Sequence, residues 1–196
     1  INPVKKFGKD NPGLQNLSYE AITWIEYPEQ DLSGLLLLPE KISHEKLHPI
    51  FIRKNGEYIK VTSSSGMEYL RISDMAPVSP MSNKSYIAVS FCWKGANKKF
   101  THADDWCFTK NESWESKLEL LTLNIEPKDG GIHVDVLNKK KLPQSFVKVA
   151  GPDKSRSHEY NAEGIAVLPN GNFMLLNDNY PDGSYTEIRI LSLHMN

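Results

Sequence analysis

A chain of 196 residues that is 39% hydrophobic and 24% charged has a globular composition, and it is long enough to bury a substantial core. Its net charge of −1, from 23 basic and 24 acidic residues, lacks the clustered basic excess of a nucleic-acid binder, so no nucleic-acid partner is expected. No stretch approaches the roughly 20 apolar residues of a membrane helix, so no membrane span is expected.

The predicted elements are short strands between Gly/Pro turns. An apolar strand opened by an acid, Glu20-Ala21-Ile22-Thr23, leads to Leu35-Leu36-Leu37-Leu38, then to Ile50-Phe51-Ile52-Arg53 and Tyr58-Ile59-Lys60-Val61. Asp74-Met75-Ala76-Pro77 opens a second set, followed by Tyr86-Ile87-Ala88-Val89. Residues 112–121 offer the best helical spacing, but they run into the alternation Leu121-Thr122-Leu123-Asn124-Ile125, which is strand periodicity. Residues 118–125 and 132–136 complete this set, and Lys139-Lys140-Lys141 reads as a solvated turn after it. Glu163-Gly164-Ile165-Ala166, Phe173-Met174-Leu175-Leu176 and a strand over 186–191 form a third, shorter set.

Four strands stepping outward from an inner one describe a β-propeller blade. The fold class is therefore all-β, one domain of about three blades: 1–66 with the first, 67–150 with the second, and 151–196 with a third, incomplete one. The acidic openers stand at 20, 74 and 163, so the second unit carries an insertion, placed at the polar stretch 94–116. Closed propellers need about four to eight blades. The ring is expected to close by homodimerisation, with another polypeptide, or with upstream blades that precede Ile1.

The order of these motifs resembles the phytase-like ("esterase-like activity of phytase") β-propeller family, as its C-terminal half. Tyr19-Glu20-Ala21-Ile22 with Gly34-Leu35-Leu36-Leu37-Leu38-Pro39-Glu40 is similar to its first motif, and Ile72-Ser73-Asp74-Met75-Ala76-Pro77 to a blade opening. Residues 162–171, with Leu175-Leu176-Asn177-Asp178-Asn179, resemble its last blade. The resemblance covers 18–80 and 158–193. It departs in lacking the N-terminal blades and in Ala21, where the family has Gly. It implies a calcium-assisted phosphoester or ester hydrolase, in an extracytoplasmic (periplasmic or secreted) place.

Inner strands line a propeller's channel, so Glu20, Asp74 and Glu163 are expected near one mouth, with Glu40 and Asp178 close by. Converging carboxylates suit Ca²⁺, which takes about 6–8 oxygen ligands. The same acids can instead bond to backbone N–H groups of neighbouring blades and hold the ring together. His158, near Lys154 and Arg156, is the candidate catalytic residue, at a connection able to bind phosphate. His102, Asp104, Asp105 and Trp106 form a loop cluster without zinc or EF-hand spacing. Cys92 and Cys107 flank the insertion and are either a disulfide or two thiols. Asn16, Asn83 and Asn111 open glycosylation patterns, meaningless in a bacterial chain. Two function classes follow: the hydrolase, and a non-catalytic module whose loops hold a small-molecule or protein ligand.

Overall fold

Alternating apolar residues bury one face of a strand, and an unbroken apolar run buries both. Both patterns occur in the computed structural model, which describes residues 19–40, 48–64, 67, 70–79, 84–92, 116–150, 157–159, 162–177 and 188–192. The strands are β1 (Tyr19–Tyr27), β2 (Leu32–Pro39), β3 (Ile50–Arg53), β4 (Tyr58–Ser63), β5 (Ile72–Pro77), β6 (Ser85–Cys92), β7 (Lys117–Lys128) and β8 (Gly131–Lys141). A helical turn, α1 (Gln144–Val147), precedes β9 (Lys148–Ala150), β10 (Ser157–Glu159), β11 (Ala162–Val167), β12 (Phe173–Asn177) and β13 (Ile188–Leu191).

The chain is all-β, and its strands pair in the antiparallel order expected. One sheet runs β1-β2-β3-β4-β8-β7-β6-β5, and β11-β12-β13 form a second. The eight-stranded sheet is two antiparallel four-stranded units joined at their last strands, where β4 and β8 pair in parallel over Val61↔Ile132 to Ser63↔Val134. It is open, ending on β1 and β5. These two first strands nonetheless lie against each other, and β11 lies against β5 on its other side.

Three units thus stack as layers. Ile25, Leu36, Leu38 and Phe51 of the first unit share a core with Met75, Tyr86, Leu121 and Ile132 of the second. From its opposite face the second unit sends Ile87, Val89, Leu118 and Leu120 into another core, with Ile165, Phe173 and Leu175 of the third. Covering on both sides is why β6 reads as the continuous run Tyr86-Ile87-Ala88-Val89, buried throughout. Each such side chain contributes roughly 1.5–3 kcal/mol when taken out of water. The Tyr27 hydroxyl, donating to the carbonyl of Ile125, adds a polar tie across the first core.

Turn chemistry follows the sequence. Asp129 (φ 50°) and Gly130 (φ 76°) form the two-residue hairpin between β7 and β8, where both central residues must be left-handed. Lys139-Lys140-Lys141 is not a turn, contrary to expectation. These residues extend β8 and pair with Leu121, Leu120 and Glu119, their side chains exposed where the strand outruns the core. The β9–β10 pair and α1 carry no signal in the sequence, because three- and four-residue elements leave no periodicity to detect. Among the described residues no helix is long and apolar enough to cross a membrane.

Candidate functional site

The first strand of every unit carries a β-bulge near its start. Register breaks between Tyr19 and Ala21, between Ile72 and Asp74, and between Ala162 and Gly164. The extra residues are Glu20, Ser73 and Glu163. Two of the three expected acids therefore occupy matching positions, and Asp74 does not. It stands one step further on, at the place of Ala21 and Gly164.

That position gives Asp74 a partner in the next unit. Its carboxylate accepts the backbone N–H of Ile165 in β11 at 2.9 Å, tying the second unit to the third. Burial pushes the Asp74 carboxyl above its ordinary range, while the N–H groups of Ile165 and Met75 pull the other way. It acts as the interunit tie that the residue type allowed.

Glu40 and Glu163 meet a cation supplied by the chain. Arg71, just before β5, pairs with Glu40 through its Nε, and its second guanidinium nitrogen lies 3.8 Å from Glu163 Oε1. The Ile72 N–H donates to the Glu40 carbonyl at 3.0 Å, fixing the end of β2 beside the start of β5. Glu40 and Arg71 are largely buried, with side chains 8% and 16% exposed, so their charges are compensated by each other rather than by water. One guanidinium thereby links all three units at the bulged end.

Three of the five expected Ca²⁺ ligands have other partners in the structure. A hard cation wants several oxygens turned on one point, whereas Glu40 and Glu163 face an arginine that stays protonated and Asp74 faces a backbone N–H. Among the described residues no group of three or more His, Cys, Asp or Glu side chains is placed to hold a metal. Arg71 carried no signal in the sequence, since its two partners come from other units. Ser73 and Ser90, at the same end, are buried, and their hydroxyls have no hydrogen-bond partner among the described residues.

The second-to-third-strand connections all leave from this end: after Pro39, after Cys92 and after Asn177. Cys92 is disulfide-bonded, and no described cysteine is free. Its expected partner Cys107 lies outside the described residues, as do Asp178, His102, Asp104, Asp105, Trp106, Lys154, Arg156, Asn16, Asn83 and Asn111. His158 lies in β10, opposite Val149 of β9.

A second polar group escaped the sequence reading. Thr62 Oγ1 lies 2.7 Å from His133 Nδ1, and His133 Nε2 lies 3.2 Å from Asp135 Oδ1. The order hydroxyl, imidazole, carboxylate can relay a proton, but here it spans the β4–β8 seam on the side away from the core. The Ser64 N–H donates to Val134 O at 3.0 Å at the same seam, so the group clasps two last strands. The spacing His133-x-Asp135 places both on one face of a strand, which was legible. Thr62 was not, because it stands 71 residues from His133 and meets it only through parallel pairing. No family model and no curated protein matches this chain.

Proposed function

We propose that this chain is a propeller segment acting as a non-catalytic binding module, its three units being blades and its bulged end the face that meets a ligand. The position of Arg71 between Glu40 and Glu163 carries this reading. It gives Glu40 and Glu163 a part in holding the units together, which supports recognition by the loops that start at that end. The stretch 94–116 follows directly from the disulfide-bonded Cys92 and is the main candidate for contact with a partner. A disulfide there also supports an oxidising, extracytoplasmic setting.

The phytase-like resemblance leads instead to calcium-assisted hydrolysis, and one experiment separates the two. Thermal unfolding of the full chain is followed in chelator and in millimolar Ca²⁺, alongside turnover of model phosphate and acetate esters. The binding-module reading expects an unchanged Tm and no turnover above buffer. A Tm raised by several degrees in Ca²⁺, together with turnover lost in Glu163→Gln, overturns it in favour of the hydrolase.

A further inference from the structure

The bulges give the three units a common register, and with it a direction. Matching rungs are Leu35, Tyr86 and Phe173, and one residue on, Leu36, Ile87 and Met174. Each unit has a forward face, carrying Leu36 and Leu38 in the first and Ile87 and Val89 in the second. Each also has a rear face, carrying Tyr86 and Ala88 in the second and Phe173 and Leu175 in the third. Both cores are built the same way, forward face of one unit on rear face of the next.

Among the described residues this leaves one rear face and one forward face without a neighbouring unit, and they belong to the same chain. The first unit's rear face exposes Ile22, Trp24, Leu35 and Tyr58, at 50%, 48%, 39% and 60%. The third unit's forward face exposes Ile188 and Ile190, at 57% and 62%, directly opposite Leu176 and Met174. Trp24 already gives its indole N–H to Glu26 at 2.7 Å, so its ring needs only an apolar neighbour. Exposed apolar faces of this kind mark interaction surfaces.

We infer that the occupant is a second copy of this chain. The forward face of each copy's third unit packs on the rear face of the other's first unit, repeating the two internal junctions. The two contacts are identical and related by a twofold axis, and together they close a ring of six units. This rests on the reading of the units as blades, but not on their being non-catalytic. The occupant follows from complementarity of direction. Two rear faces, or two forward faces, meeting each other would match neither core.

Sedimentation equilibrium of the full chain at about 1–50 μM tests this. A species of twice 22.2 kDa is expected. A monomer throughout that range overturns the proposal, as does an open-ended polymer or a monomer that dimerises only with some other polypeptide. Trp24→Lys and Ile190→Glu, both at exposed positions, should each weaken the dimer by roughly 100-fold, since either change damages both contacts. An unchanged far-ultraviolet circular dichroism spectrum and melt would show that each variant folds. Mixing the two should restore a dimer, because one contact is then wild-type and the other sets a lysine against a glutamate. If Ile190→Glu alone still dimerises, or the mixture stays monomeric, the head-to-tail arrangement is wrong. These outcomes do not depend on Ca²⁺ or turnover, so they fail separately from the binding-module reading.

Discussion

Tyr86 and Ala88 in the middle unit are 2% and 0% exposed, while Leu35, on the rung of the first unit that matches Tyr86, is 39% exposed. Both units have the same strand order and the same bulge, so the difference comes from what lies on either side. The middle unit is covered twice and can afford apolar residues on every rung of β6. Among the described residues the end units are covered once, yet they keep apolar residues on the other side. A solvated sheet face normally alternates to polar residues there. The bare faces are composed like the covered ones, which is what makes them candidates for a junction rather than ordinary surface.

The contrast can be broken most directly by truncation. Leu120→Ala, in the middle unit, should cost about 2–5 kcal/mol of unfolding free energy in urea, since the site is closed on both sides. Leu35→Ala, measured in dilute solution, should cost under about 1 kcal/mol. Equal losses would mean that the first unit's rear face is already packed in the isolated chain. A smaller effect sharpens the view that the end unit is tight within its own sheet. A Cβ at Gly34 would stand 2.1 Å from the carbonyl oxygen of Ile52, a backbone atom that cannot swing aside. Gly34→Ala is thus expected to destabilise by about 1–3 kcal/mol, and a neutral outcome would show that β2 and β3 are free to separate.

The smallest effect concerns the joint between the middle and third units. Asp74 is held above its ordinary range, so the folded state keeps its proton more readily than the unfolded state does. Its contribution is fully present below the unfolded pKa of about 3.9 and is lost as pH rises through the folded value. Asp74→Asn keeps an oxygen for the Ile165 N–H without a charge to bury. The variant should therefore gain stability relative to wild type as pH rises across that window and stay level above it. Parallel melts at stepped pH would show this, and a gap that narrows with rising pH would contradict it.

Local chemistry made the strands legible. Alternation marked β7, turn residues such as Asp129-Gly130 marked the hairpin, and the apolar run from Tyr86 marked a strand. The order of three similar units could be read the same way, because each is a local meander. The register could not. A bulge is invisible in residue order, so Asp74 lines up with Glu20 and Glu163 in the sequence although it stands one position past the bulged residue. The site changed for the same reason: Arg71 has two acids as partners only once three separate units are stacked, and Thr62 finds His133 only across the β4–β8 seam. Sequence by itself determined strand, turn and apolar face, which depend on neighbours a few residues away. Only the tertiary structure decided which charge meets which and which apolar faces remain uncovered, because both depend on contacts between segments far apart in the chain.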